Sequence, residues 1–256
     1  MQLTLELETA PLLPRLRRAL LALFGPQRAE GRLDPVSQLI KSIIGARTSD
    51  ADGWAAFARL RGAFADWTDL ASAAPKRIET AIAAAAFADR KARQLPILVR
   101  VIQIRTGGLD LGFLADGPVA DAMGWLQSLP GVGCKSAAAV LNFSTLNRPA
   151  LVVDSHVHRV AKRLGLAGRA SDPAQAFEAL TALIPATWTA EDLFELHWLI
   201  KGLGRSICSE ASPRCGMCPL KAECPRLGVG VGRKVVELAA ARRTREASAE
   251  APDRLP

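Results

Sequence analysis

Four of the five cysteines in this 256-residue chain fall in one short window, Cys208, Cys215, Cys218 and Cys224, spaced C-x6-C-x2-C-x5-C. Any fold must bring these thiols together. In an oxidising compartment they would pair as disulfides, and in a reducing one they would ligate metal. The N-terminal stretch places Glu6 and Glu8 before Arg15, Arg17 and Arg18, the reverse of the charge order of a secretory signal,. No run of about 18 uncharged apolar residues offers a membrane span. The expectation is therefore a cytoplasmic chain whose four thiolates hold either a tetrahedral zinc or an iron–sulfur cubane, since spacing leaves both open. Cys134 stands apart from them.

The rest of the sequence is helical in character. Tyr is absent, Ala and Leu dominate, and 49% of residues are hydrophobic. Apolar residues recur at helical spacing. Helices are expected at Arg15–Phe24 (Leu16, Ala19, Leu20 and Leu23 inward), at Pro35–Ile44 (Val36, Leu39, Ile40 and Ile43 inward), and from a cap at Thr48, Ser49 or Asp50 to about Gly62. Further helices are expected at Pro75–Ala86, Asp89–Gln103, Ala120–Gln127, Cys134–Asn142, Ser155–Leu164, Pro173–Leu183 and Ala190–Leu203. Val229–Pro256 mixes Arg, Glu, Ala and Pro and reads as a flexible tail. The fold class is all-α.

The formal net charge is +8, which suits a nucleic-acid partner without requiring one. A more specific signal is Leu129-Pro130-Gly131-Val132-Gly133, a tight turn between two expected helices. Its glycines permit backbone conformations that other residues resist and leave N–H groups open at a helix start, where a phosphate binds. That is the form of a hairpin gripping the DNA backbone, although an ordinary helix–helix turn fits too. Lys135 lies in the first turn after it. The positive end of the helix dipole and partial burial both disfavour its charged form, and a neutral lysine is a nucleophile able to form a Schiff base. A phosphate contact is the simpler alternative. Asp154 opens the next helix, as an N-cap or as a carboxylate facing positive charge on a sugar.

Together, Leu129-Pro-Gly-Val-Gly-Cys-Lys135-Ser and Val153-Asp-Ser-His-Val-His-Arg159-Val resemble the helix–hairpin–helix plus Gly/Pro-Asp superfamily of DNA glycosylases, and its endonuclease III branch in particular. The resemblance covers about three quarters of the chain, from Asp34 to Cys224. It implies that Lys135 attacks the sugar and Asp154 assists. It implies DNA contacts at Leu129, Gly131, Val132, Gly133 and His156. In that family the same cysteine spacing, behind a His197-Trp198 sequence, holds a [4Fe–4S] cluster, so Cys208, Cys215, Cys218 and Cys224 are its expected ligands.

Some positions depart from the family. Where it commonly carries the glutamine of Ser-Ala-Gln-Ala-Thr-Asp, which fills the gap left by a flipped base, this chain has Arg47. An arginine presents donors only, and would fill the gap differently or bind a phosphate. The second intercalating position corresponds to Phe87, an apolar wedge for a base step or else a core residue. The loop between Cys208 and Cys215 holds one cation, Arg214, beside Glu210, and Cys134 replaces a basic residue, so phosphate contacts there are expected to be weaker.

The resulting expectation is a two-lobed helix–hairpin–helix glycosylase. Residues 28–147 would form a helical bundle, 1–27 with 148–226 a cluster lobe, and 227–256 a tail. It would act as a monomer on double-stranded DNA with a damaged base or abasic site, associated with the nucleoid. Glycosylase and AP lyase activity would run through a lysine Schiff base and β-elimination, with oxidised pyrimidines as the family's default substrates. The adenine-removing branch uses a carboxylate on the second helix, and no Asp or Glu occurs between Pro35 and Arg47. A mismatch glycosylase and a non-catalytic cluster-bearing DNA-binding protein are the rivals, and nicking of an abasic duplex separates the latter.

Overall fold

The computed structural model describes residues 12–230. Residues 1–11 of the cluster lobe and 231–256 of the expected tail lie outside the described residues. Ten α-helices occur among those described: α1 (Leu12–Phe24), α2 (Pro35–Ile44), α3 (Asp50–Ala63), α4 (Pro75–Ala81), α5 (Ala88–Thr106), α6 (Val119–Gln127), α7 (Cys134–Phe143), α8 (Ser155–Leu164), α9 (Pro173–Thr181) and α10 (Ala190–Ser206). The only β pairing among the described residues is one isolated parallel bridge between Leu33 and Ser144. No described helix is long and apolar enough to cross a membrane.

Local chemistry sets the helix starts. The Asp34 side chain accepts from the Ser37 N–H, with Pro35 entering α2 behind it,. Ser49 caps α3, accepting from Asp52 N at 3.1 Å, and that leaves Asp50 free for another task. Asp172 with Gln175 and Thr189 with Asp192 form reciprocal capping boxes on α9 and α10,.

One helix end and one apolar face depart from expectation. The helix begun at Pro75 ends at Ala81, not Ala86, because the chain turns and passes through a left-handed residue at Phe87 (φ 56°) before α5. In α1, Leu23 is 48% exposed and not inward. Leu13, Leu16 and Leu20 make its buried stripe, so the apolar face runs one turn earlier than the sequence suggested.

The buried residues form two cores. One gathers side chains from Val36 to Val152, and the other combines Leu13, Leu16 and Leu20 with residues from Leu151 to Leu220. The lobes meet along the extended segment 150–153, where Ala150 and Val152 face the first core while Leu151 and Val153 face the second. Alternation along an extended backbone thus sutures the two lobes. In α7, the fully buried Ala137, Ala138 and Ala139 let α2 pack closely against it,.

Candidate active site

The hairpin links α6 to α7. Leu129 and Val132 are buried in the first core. Their side chains brace the turn, and their N–H groups donate within it, to Leu126 O at 3.1 Å and Leu129 O at 3.2 Å. Gly131 has φ +72°, a conformation that favours glycine, and a Cβ there would displace the Gln94 amide, 2.0 Å away,. Gly133 differs from expectation. Its φ is −94°, open to any residue, and a Cβ would meet nothing within 4 Å. What glycine provides there is an unobstructed approach from outside to the start of α7, where no side chain caps the helix,.

Lys135 stands in that first turn. Burial holds its ammonium below the ordinary value; Lys201 acts the same way, while Asp154 and Asp50 oppose them. Asp154 caps α8 through one oxygen, since Oδ1 accepts from the backbone N–H groups of His156 and Val157, both at 2.9 Å. Its Oδ2 takes no part in the cap and lies 3.8 Å from Lys201 Nζ. Burial alone would raise this carboxyl, but His197, the Val157 N–H and Lys201 outweigh it and keep it below the usual carboxylate range. His197 is buried and pushed down to about 4, hence neutral near pH 7 and a cation only in the acid range where Asp154 titrates, with Nδ1 2.8 Å from Val152 O. His156 is also lowered by burial, and its Nδ1 lies 3.2 Å from Arg159 Nη2. The site therefore offers an amine whose charged form is disfavoured by burial and a carboxylate with one oxygen outside its cap, within ion-pair range of Lys201.

Several residues here escaped the sequence reading. Asp50 bridges the lobes, pairing with Lys201 and Arg205 of α10 at 2.8 Å each. Lys91 is buried and donates to Ile44 O (2.6 Å), Ala46 O (2.7 Å) and Thr48 Oγ1 (3.1 Å). Thr48 Oγ1 in turn accepts from Ala86 N at 3.1 Å. This web joins the turn carrying Arg47 to the turn carrying Phe87. Arg47 is exposed and Phe87 is 51% exposed, so Phe87 is not a core residue. The one available signal was Lys91 itself, a lone lysine one helical turn after Phe87.

Cys208, Cys215, Cys218 and Cys224 line a common cavity. Among the described residues no group of three or more His, Cys, Asp and Glu side chains is arranged to hold a metal ion. An all-sulfur donor set around a shared cavity fits a cysteine-ligated cluster. Arg163 of α8 ties the loop down, donating to Cys208 Sγ at 3.2 Å and to the carbonyls of Cys208, Ser209 and Glu210. Beside it runs a groove of about 1160 Å³ lined by Arg159, Lys162, Arg163, Arg169 and Arg214. The loop is as poor in cations as expected, yet α8 and its C-terminal turn supply the positive charge in its place.

Residues 40–186 match the family model for the HhH-GPD superfamily base excision DNA repair protein, and the chain belongs to that superfamily. Within it the chain is of the endonuclease III type. It is 32% identical over 192 residues to endonuclease III of Thermotoga maritima, covering 75% of this chain and 83% of that one. It superposes on a trapped endonuclease III–DNA covalent intermediate with a TM-score of 0.68 at 25% identity, covering 84% of this chain and 94% of that one. A thermostable thymine-DNA glycosylase shares the fold, with a TM-score of 0.66 at 20% identity, covering 84% and 94%. The protein is a base excision repair DNA glycosylase.

Proposed function

We propose that the protein excises damaged pyrimidines from duplex DNA and then nicks the strand as an AP lyase. The observation that carries this reading is the pairing of a lysine disfavoured as a cation with a carboxylate that has one oxygen free of its cap. The extruded nucleotide enters between the lobes. Asp154 stabilises positive charge on the sugar as the glycosidic bond weakens. The Lys135 amine bonds to C1′, and the base departs with the bonding electrons and takes a proton. Ring opening gives a Schiff base. Loss of a C2′ proton then drives β-elimination: the C3′–O bond breaks, the phosphate leaves, and water releases the sugar from lysine.

The hairpin N–H groups at Gly131 and Gly133 would hold a phosphate, with Leu129 and Val132 fixing the turn behind them, and His156 would contact the strand at the start of α8. Arg47 and Phe87 would fill the space the base vacates. The four cysteines would hold a [4Fe–4S] cluster whose contribution is structural, closing the loop beside the basic groove. Residues 28–147 and 1–27 with 148–226 would be the two domains of a monomer, with 227–256 as a tail.

The test is single-turnover reaction with duplexes carrying an oxidised pyrimidine or a preformed abasic site. Base release followed by nicking is expected on the first, and nicking alone on the second. Base release without nicking would make the protein a monofunctional glycosylase, and DNA binding without either would leave a binding protein.

A further inference from the structure

Lys41 occupies an unusual setting between the lobes. It projects from α2 into a pocket of about 390 Å³ walled by Trp54, Phe143, Phe194 and Trp198 and closed by the crossover from Gln27 to Leu33. Its Nζ lies 3.9 Å from the centre of the Trp54 ring, and the aromatic face gives it partial compensation. No carboxylate among the described residues pairs with it. The nearby Asp50 is already held by Lys201 and Arg205. Across the pocket, the indole Nε1 of Trp198 is buried without an acceptor. Gln38 and the exposed Glu30 also line the wall; Gln38 Nε2 is spent on Ser42 Oγ at 3.1 Å. A half-buried ammonium and a buried N–H without partners are costly unless a ligand brings acceptors. Burial, with Lys135 and Lys201 nearby, pushes Lys41 down to about 8, so it remains mostly charged at neutral pH.

We propose that this pocket receives the extruded base and that Lys41 selects a uracil-type pyrimidine over a cytosine-type one. The proposal rests on the glycosylase reading above. Flat aromatic walls stack a planar ring. Lys135 and Asp154, which attend the glycosidic bond, do not line the pocket; with the sugar held beside them, the proposal sets the edge of the base remote from the sugar against Lys41. That edge carries a carbonyl oxygen at C4 in uracil-type bases and an amino group in cytosine-type bases. An ammonium has donors only. It binds the carbonyl and opposes the amine.

The decisive pair of substrates is 5-hydroxyuracil and 5-hydroxycytosine, which differ at C4 and in the proton on the adjoining N3, each placed opposite the same base. Wild type should excise the uracil form about ten- to hundred-fold faster, the scale of one charge-assisted hydrogen bond. Lys41→Met should bring the ratio close to one, and Lys41→Arg, which keeps a cation, should retain most of the preference. A wild-type ratio near one overturns the proposal whatever the variants do, and so does a ratio unchanged in Lys41→Met. If wild type nicks a preformed abasic duplex but releases neither base, the damaged-pyrimidine reading itself fails and this inference falls with it.

Discussion

Arg47 and Phe87, forty residues apart in sequence, both adopt φ 56°, and the Arg47 guanidinium stands 6.0 Å from the Phe87 ring centre. Left-handed backbone is costly for residues with a Cβ and concentrates where structure serves function. Here it lifts a cation and an aromatic ring together to the surface, while Lys91 ties the two turns from beneath. A guanidinium in a stack that has lost a base can lie against neighbouring rings and donate to the orphaned one, and a guanine edge offers the most acceptors. Lesions opposite guanine should be processed fastest, and Arg47→Gln should flatten that preference. Single-turnover cleavage of one lesion opposite each of the four bases decides the point. A uniform loss in Arg47→Gln, with a smaller salt slope, would leave Arg47 as a phosphate contact only.

Asp154 divides its labour between two oxygens. Oδ1 caps α8 and Oδ2 is left for chemistry. Asp154→Asn keeps a capping oxygen and loses the charge. Turnover should fall by about a hundredfold or more, on the scale of removing one group that stabilises transition-state charge, while the melting temperature near neutral pH shifts little. The melting curve has an acid arm as well. Because the folded carboxyl lies below its ordinary 3.8, its contribution to stability is present above that value and disappears as pH falls through the folded value,. The acid sensitivity of Asp154→Asn should accordingly be lower than that of wild type. Turnover equal to wild type would show that Asp154 is only a cap.

Lys41 gives the opposite sign at high pH. It titrates at about 8 in the folded protein against 10.5 ordinarily. Between those values the unfolded chain binds more protons, so the stability contributed by this group rises with pH. Below about 8 its burial penalty is constant. Urea unfolding of wild type and Lys41→Met just below pH 8 and at about pH 10 should show wild type gaining on the variant. A gap that stays constant or moves the other way would contradict the burial of this charge.

The residues legible in the sequence were those whose function depends on neighbours along the chain. The hairpin, Lys135 one turn beyond it, Asp154 at a helix start and the cysteine spacing are all local patterns. Asp50 looked like one more helix cap because its partners, Lys201 and Arg205, lie 151 and 155 residues away. Lys41 carries no local signal on α2. Only closure of the two lobes surrounds it with Trp54, Phe143, Phe194 and Trp198. Phe87 could not be assigned to core or surface from an Ala-rich stretch, because the turn that exposes it is held by Thr48 and Lys91 from opposite sides. The α1 stripe was misplaced by one turn because Leu23 fits helical spacing equally well, and packing against α10 chose the other leucines.

The cluster is tested by composition. Protein purified without oxygen should be brown and hold about four irons. Replacing Cys215 with Ser should bleach it and lower stability without altering the Lys135 side of the cleft. A colourless protein with one zinc would contradict the cluster.

The central claim is that Lys135 is the amine that bonds to the sugar. Borohydride reduces a Schiff base to a stable amine, so wild type incubated with abasic duplex and borohydride should become covalently joined to the strand. Lys135→Gln should bind the same duplex and remain free. This variant also settles whether Lys201, 3.8 Å from Asp154, acts as a second nucleophile. Undiminished trapping in Lys135→Gln would contradict the account.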